Sequence, residues 1–387
     1  MLSKKIKNNN GITLVALVVT IIILLILATI SIQSLTNTGL FKKAQEAKEK
    51  TQNAEENQAK TLNEYEDELN KYISGDVKTP IKKVTDNIDS VLSTTDNTEL
   101  EDAYGNKIVV PAGFKIISNS DTNNATTVDK GIVIEDATTG ATAGSQFVWV
   151  PVGKIYTNIE HTEANKRVIT LGRYEFDETS GEERNYSGSF VEEDTNDAST
   201  IQNKGNIIAK NITNFKNSVA ANGGYYIGRY EARTTKARSS TNDTLTQITE
   251  KGIDQLYNCV TQSQAASQAK NMYNSNKFTS DLINNYAWDT AITFIQKCTN
   301  QTKYSRQNSL NTGSIAQTGT TIDKQCNIFD MASNVFEWTT ETSNYSDYPC
   351  VYRSGYCYDS NCYTSNQYYG DTSLGNAGIG FRPLLYL

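Results

Sequence analysis

The chain has 387 residues, of which 37% are hydrophobic, enough to build a core in a protein of two or three domains. Its 36 basic against 43 acidic residues give a formal net charge of −7, and no basic patch stands out, which argues against nucleic-acid binding. His161 is the only histidine, so Ser–His–Asp or Cys–His catalysis and metal sites built from several histidines are nearly excluded.

The amino-terminal segment predicts a membrane helix. Lys4, Lys5 and Lys7 precede an uncharged apolar run at 12–32, whose length of about 20 residues suits one bilayer crossing. The lysines are expected to stay on the cytoplasmic side. We therefore expect a membrane-anchored protein with residues 40–387 at the cell surface.

Gly11 lies directly before that apolar run, whereas a signal peptide carries its cleavage residue after its apolar core. This order resembles the type IV prepilin leader. The resemblance implies a leader at 1–11, cleavage between Gly11 and Ile12 by a prepilin peptidase, and pilin-like subunits as partners. The fifth residue after the cut is usually Glu in that family and is Ala16 here, which favours a minor pilin, a pseudopilin-like subunit or a plain anchor. An uncleaved anchor remains the alternative.

Residues 40–75 are rich in Ala, Glu, Lys and Gln, lack Pro and end at Gly75, a pattern typical of a helix. The prediction is one transmembrane and stalk helix over 12–75. Apolar residues are sparse in 76–112, which predicts a polar linker with at most one short helix.

From residue 113 the pattern changes to short runs of β-branched and aromatic residues bounded by Gly, Asn or Pro, which predict strands. The clearest runs are GFKII, GIVIEDA, SQFVWVPVG and GGYYIGRYEAR. Helices are expected at about 206–220, 261–273 and 288–298. Residues 154–200 are polar and irregular apart from VITLGRYEF, so we interpret them as a surface insertion.

Two apolar phrases, CNIFDMASNVFEW at 326–338 and GIGFRPLLYL at 378–387, enclose a segment made almost entirely of Tyr, Ser, Asn, Asp, Gly, Cys and Thr. Tyr offers rigid contact area at low entropy cost, while Ser, Asn and Gly adapt their hydrogen bonds. We call residues 342–378 the window and interpret it as a recognition surface. An ordinary loop rich in turn formers is the alternative.

The phrases FVWVPVG, YYIGRYEAR, YAWDTAITFI, DMASNVFEW, YRSG and GIGFRP together resemble the formylglycine-generating-enzyme/sulfatase-modifying-factor domain over about 113–387. That family has an α+β, C-type-lectin-like fold. The expected fold class is therefore α+β, with a long transmembrane and stalk helix followed by a lectin-like domain at 113–387.

The same resemblance implies a calcium site. Its ligands would be the side chains of Asp330 and Glu337 and the backbone carbonyls of Ser333 and Val335, which are oxygen donors of the kind calcium prefers. The alternative is that Asp330 caps a turn and Glu337 pairs with Arg382.

Some members of that family are copper oxidases that use a cysteine pair, and Cys357 and Cys362 have the same four-residue gap. The pair lies closer to the Arg-x-Gly at 353–355 than the family pattern requires. The Arg-rich segment that normally follows is replaced by YTSNQYYGD. We expect no enzyme and no copper, and keep the oxidase as an alternative. The even number of cysteines permits disulfides, whose pairing the sequence leaves open.

The window also resembles the variable proteins that diversity-generating retroelements mutate at codons such as AAC. An NNC codon never encodes Lys, Glu, Gln, Met or Trp, and between residues 342 and 378 only Gln367 belongs to that set. The resemblance implies a diversified ligand-binding face. Tyr-rich lectin-like domains that share this bias without mutagenesis are the alternative.

Our hypothesis is a binding module whose window contacts a protein or glycan ligand. The alternatives are a formylglycine-generating-type copper oxidase and a structural minor pilin. The expected contact residues are Tyr345, Asp347, Tyr348, Tyr352, Tyr356, Tyr358, Asp359, Asn361, Tyr363, Asn366, Tyr368 and Tyr369.

Overall fold

The computed structural model describes residues 10–37, isolated positions between 43 and 58, and residues 81–190, 211–252, 254–308, 313–320 and 322–387. The chain divides into two units, Met1–Thr79 and Pro80–Leu387. Most of the predicted stalk lies outside the described residues.

The first unit contains helix α1 (Asn10–Asn37). Between residues 15 and 31, where its side chains are described, the hydroxyls of Thr20, Thr29 and Ser31 donate to the carbonyls of Ala16, Leu25 and Leu27, at 2.7, 2.6 and 2.7 Å. These polar side chains are thus satisfied within the helix.

The predicted transmembrane helix is contradicted. Bilayer crossing needs about 20 apolar residues in succession. In the part of the chain that the structure describes, no helix combines enough length with enough apolar character to cross a membrane. The predictions of a long transmembrane helix and of a membrane-anchored protein are therefore wrong.

The second unit is mixed but rich in strands. Its helices are α2 (Ile212–Asn222), α3 (Gln262–Lys270) and α4 (Asn285–Cys298). Its strands are β1 (Lys82–Lys83), β2 (Thr98–Glu101), β3 (Lys107–Val110), β4 (Phe114–Ile117), β5 (Val133–Asp136), β6 (Gln146–Pro151), β7 (Gly153–Tyr156), β8 (Lys166–Ile169), β9 (Tyr174–Phe176), β10 (Glu183–Asn185), β11 (Gly224–Gly228), β12 (Arg233–Thr234), β13 (Ile248–Thr249), β14 (Gln255–Leu256), β15 (Thr279–Leu282), β16 (Lys324–Gln325), β17 (Ile328–Phe329), β18 (Phe336–Thr342), β19 (Cys350–Arg353), β20 (Gln367–Gly370), β21 (Ile379–Phe381) and β22 (Pro383–Tyr386). The predicted fold class, with its long leading helix, is therefore wrong, because this unit is built from short helices and many short strands.

The largest sheet has six strands in the order β15-β22-β11-β6-β5-β4, and each neighbouring pair is antiparallel. β11 and β6 lie inside it and are buried along almost their whole length, which explains their continuous apolar runs. Trp149 of β6 packs on Tyr226 of β11 with 4.9 Å between ring centroids. This sheet is the centre of the hydrophobic core.

Helices cover the six-stranded sheet. Phe215 of α2 packs edge-on against Tyr225 of β11 and Tyr386 of β22, at 5.2 and 5.6 Å between centroids. Asn211 caps the start of α2, and Gly223 ends it with φ 75°, a left-handed conformation that glycine adopts without strain. α4 is buried along most of its length because its residues pack into the core.

A four-stranded sheet, in the order β20-β19-β18-β21, carries the window. β18 and β21 run parallel, with Phe336 opposite Ile379 and Trp338 opposite Phe381. The chain therefore enters and leaves the window at neighbouring positions in this sheet. Trp338 is fully buried, and its indole N–H donates to the carbonyl of Val260 at 2.9 Å.

The remaining strands form small sheets: β1-β2-β3, β13-β12-β14, and the pairs β10-β9, β7-β8 and β16-β17. β1 to β3 fall between residues 82 and 110, in the segment expected to be a linker. Leu100 and Ile108, which face each other across β2 and β3, are fully buried. This stretch is thus part of the folded second unit, which begins at Pro80.

Candidate functional site

The expected contact residues lie on the outer layer of the four-stranded sheet and its connecting loops. Four of the window tyrosines have between 44% and 52% of their side chains exposed: Tyr345, Tyr348, Tyr358 and Tyr369. Asp347, Asp359 and Asn361 are also exposed. The other five expected residues are half-buried: Tyr352, Tyr356, Tyr363, Asn366 and Tyr368.

Two of the other exposed tyrosine rings and the half-buried ring of Phe190 contact Tyr369. Its ring centroid lies 4.9 Å from that of Tyr345, 5.9 Å from that of Tyr348 and 6.1 Å from that of Phe190. We call these four residues the Tyr369 cluster. It brings together two parts of the window and one residue from outside it.

A second aromatic group lies on the opposite face of β19 and β20, because Tyr352 pairs with Tyr368 whereas Tyr369 pairs with Val351. Phe336 of β18 contacts Tyr352, Tyr356 and Tyr368, with centroid distances of 5.0, 4.9 and 5.1 Å. Tyr352 also packs on buried Trp338 at 5.4 Å. The half-buried tyrosines thus connect this second face to the core.

A cleft of about 830 Å³ opens beside the Tyr369 cluster. One wall comes from the window and includes Tyr345, Asn366 and Tyr369, while the other is the β9–β10 hairpin and the residues after it. The second wall carries three carboxylates, Glu175, Asp177 and Glu178, and the basic side chain of Arg184, which pairs with Asp177.

Sequence reasoning missed this second wall because residues 154–200 read as a surface insertion. The signal was the alternation in VITLGRYEF, which yields β8 and the β9 segment. In β9, Tyr174 and Phe176 are buried while Glu175 points outward. The carboxylate of Glu175 accepts hydrogen bonds from the backbone N–H and the hydroxyl of Ser187, at 3.1 and 3.0 Å. These bonds join β9 to the residues that follow β10.

A buried ionic network lies under the cleft. Arg353 of β19 donates to Asp289 of α4 at 2.7 Å, and Arg173 pairs with both Asp289 and Glu341. Burial lowers the pKa of the Arg353 guanidinium from its ordinary value, and the charge of Asp289 opposes that shift. Arg353 lies inside the window and is fully buried, so the window is not a surface throughout.

The residues predicted to bind calcium are also buried. Both carboxylate oxygens of Glu337 accept hydrogen bonds from Arg382, at 2.7 and 3.1 Å, which is the alternative left open by the sequence. Asp330, with φ 62°, accepts the backbone N–H of Gly319 at 2.8 Å. Ser333 and Val335 are buried beside them. Arg382 therefore compensates the charge of Glu337 in this arrangement.

Among the described residues, no group of three or more His, Cys, Asp or Glu is placed to hold a metal ion. The calcium site remains a prediction from the sequence. Gly11 and Ile12, the residues of the predicted cleavage, lie in α1. Cleavage by a peptidase also remains a prediction.

All six cysteines are among the described residues, and none of them forms a disulfide. Burial raises the pKa of the Cys357 thiol to about 11, and burial also raises the pKa of Cys362. Copper binding and redox chemistry use the thiolate form. Thiols with raised pKa values are protonated at neutral pH until a metal or a base takes the proton.

No protein-family model matches this chain, and no curated protein matches it. Among solved structures it is similar to Treponema denticola variable protein 1, with 10% identity and a TM-score of 0.34, over 65% of this chain and 99% of that one. It is also similar to a Major Tropism Determinant M1 variant, with 10% identity and a TM-score of 0.30, over 76% of this chain and 81% of that one.

The first of these neighbours is a variable protein by name. The comparisons support neither the prepilin-like amino terminus nor the formylglycine-generating-enzyme domain. Similarity at these TM-scores carries no argument about the function of this chain.

Proposed function

We propose that this protein is a ligand-binding, adhesin-like protein whose contact surface is the Tyr-rich window. The observation that carries the proposal is the position of the eight window tyrosines, none of which is buried. Each ring stays at or near the surface, although the strands beneath pack into the core. Tyrosines held in this way suit binding because their two side-chain torsions lose little entropy on contact.

The aromatic group around Phe336 supports the same proposal. Tyr352 and Tyr368 stack at 5.5 Å between centroids and rest on Phe336. This packing holds the half-buried rings in place, and Tyr356 also contacts the exposed ring of Tyr358 at 5.2 Å. Preorganised contacts of this sort raise affinity because less motion is lost on binding.

We further propose that the window is diversified by adenine-specific mutagenesis. The support is the set of amino acids in the window, which NNC codons can encode everywhere except at Gln367. Sequencing the DNA beside the gene is the test. A reverse-transcriptase gene and a template repeat that matches the last codons are expected. If both are missing, diversification is contradicted while the binding proposal stands.

Binding itself is tested with the full chain on arrays of immobilised peptides and glycans. The four exposed tyrosines are changed to Ser together: Tyr345, Tyr348, Tyr358 and Tyr369. Truncating one buried aromatic anchor of an interface typically weakens affinity about thirtyfold. We therefore expect the array signal of the variant to be lost.

The matched control changes two exposed apolar residues outside the window, Ile159 and Ile322, to Ser. This control should bind like the unchanged protein. A third variant, Cys357→Ser with Cys362→Ser, separates the oxidase alternative, which cannot work without its thiolates. Binding that survives the tyrosine changes, or no binding by the unchanged protein on any array, would contradict the proposal.

A further inference from the structure

We propose that the Tyr369 cluster and the acidic wall of the adjoining cleft bind a cationic protein segment that presents a Lys or Arg side chain. The inference rests on the proposed function, because it names the class of ligand for the same face. It is carried by the arrangement of aromatic rings and charges around the cleft.

The charged side chains that the window presents to solvent are all negative. Residues 342–378 contain three acidic side chains, Asp347, Asp359 and Asp371, and no Lys. Their one basic residue, Arg353, is fully buried against Asp289. A ligand that docks on this face therefore meets negative charge from the window itself.

The opposite wall of the cleft adds to that charge. Glu175, Asp177 and Glu178 all line it. Two basic residues also line the cleft, Arg184, which pairs with Asp177, and Arg306, which lies over the ring of Tyr363 at 4.0 Å from its centroid, so the net charge of the lining is −1. The cleft thus joins an acidic wall to an aromatic one.

The molecule itself places guanidinium groups on tyrosine rings in this region. Arg173 lies 3.9 Å from the centroid of the Tyr186 ring, and Arg306 makes the similar contact with Tyr363. Tyr186 and Arg306 both line the cleft. Among the described residues no Lys or Arg lies over the rings of Tyr345, Tyr348 or Tyr369, which contact one another at the surface. A Lys or Arg side chain from a ligand could make the same cation–ring contact there.

A cationic protein segment fits this site better than a neutral glycan does. A cation gains from the faces of several rings and from the carboxylates at once, and the gain grows when water is excluded. A neutral sugar would donate its hydroxyls to the carboxylates but would leave their negative charge uncompensated. The negative charge of the lining therefore favours the cationic segment.

The test is calorimetric titration of the full chain with three probes: a capped peptide with three Gly-Arg repeats, the matching Gly-Glu peptide and maltohexaose. We expect the Arg peptide alone to bind, and its affinity to fall between 50 and 500 mM NaCl because exposed charges are screened. Tyr345→Ser with Tyr369→Ser should weaken it at least about fivefold. Glu175→Gln with Glu178→Gln should weaken it as well.

Two controls are matched to these variants. Ile159→Ser removes an apolar side chain that is 65% exposed and lies outside both the window and the cleft. Glu163→Gln removes an exposed carboxylate away from the cleft. Both should leave the affinity for the Arg peptide unchanged.

Three results would overturn the inference: no binding of the Arg peptide, equal loss in the variants and their controls, or preferred binding of the Gly-Glu peptide or maltohexaose. Maltohexaose binding that Tyr345→Ser with Tyr369→Ser abolishes would reject the cationic ligand and keep the window as a binding face. Array binding that survives all four tyrosine changes would reject the proposed function itself.

Discussion

Asp289→Asn removes the one carboxylate that two buried arginines share. Asp289 accepts from Arg353 at 2.7 Å, from Arg173, and from the backbone N–H of Tyr174 at 2.9 Å. In the variant, both guanidinium groups stay buried with Glu341 as the nearest remaining anion. Breaking a buried ion pair by removing one partner costs about 3–5 kcal/mol, because an uncompensated charge remains.

Arg353→Met should cost less. Asp289 then keeps Arg173 and the N–H of Tyr174 as partners, so its charge remains compensated. The Nε and one terminal nitrogen of Arg353 have no hydrogen-bond partner in the native protein, so removing them loses nothing there. The loss is then that of the hydrogen bond to Asp289, about 1.5–3 kcal/mol, and of the longer hydrogen bond to the carbonyl of Ser365.

Urea unfolding followed by tryptophan fluorescence measures both values, since all three tryptophans are fully buried. Asp359→Asn, at an exposed window position, is the control and should stay within about 0.5 kcal/mol of the native protein. The reasoning is refuted if Asp289→Asn unfolds at the same urea concentration as this control, or if Arg353→Met costs more than Asp289→Asn.

Trp338→Ala should lower the free energy of unfolding by about 3–5 kcal/mol, whereas Tyr358→Ser should change it by about 0.5 kcal/mol or less; equal losses in urea unfolding would contradict this. Iodoacetamide should label Cys357 slowly at pH 7 and faster as the pH rises toward 11, because its pKa is about 11. Labelling as fast as that of a free thiol in solution would contradict the raised pKa. Burial, followed by the charge of Asp330, raises the pKa of Asp323 from 3.8 to about 6. The folded protein then binds a proton more tightly than the unfolded chain, so Asp323 contributes stability below about pH 4 that is lost as the pH rises through about 6. The native protein's stability relative to Asp323→Asn should therefore fall across that range in urea unfolding, and an unchanged or rising difference would contradict it.

The core elements could be predicted because their signal is local. SQFVWVPVG and GGYYIGRYEAR contain β6 and β11, whose buried runs alternate with turn formers. The helix expected at 288–298 is α4, which begins three residues earlier because Asn284 caps it by accepting from the N–H of Ala287. The helix expected at 206–220 has its observed start at Ile212, after the cap at Asn211.

The rest depended on contacts between distant residues. Arg353 reads as a polar member of the window, and its burial is set by Asp289, which lies 64 residues earlier. The cleft has one wall near residue 175 and the other near residue 369, which no local pattern connects. β1 to β3 are too short for a periodic signal, and Leu100 and Ile108 are buried only because the strands pair.

The parallel pairing of β18 with β21 fixes both ends of the window in one sheet. Phe336, before the window, and Ile379, after it, are partners in that sheet. The entropic cost of joining two fixed points grows slowly, by about 0.6 kcal/mol for each doubling of loop length. Insertions in the loop between β19 and β20, or foreign sequences grafted there, should therefore leave the six-stranded sheet intact, and the domain could serve as a scaffold that accepts inserts of different lengths.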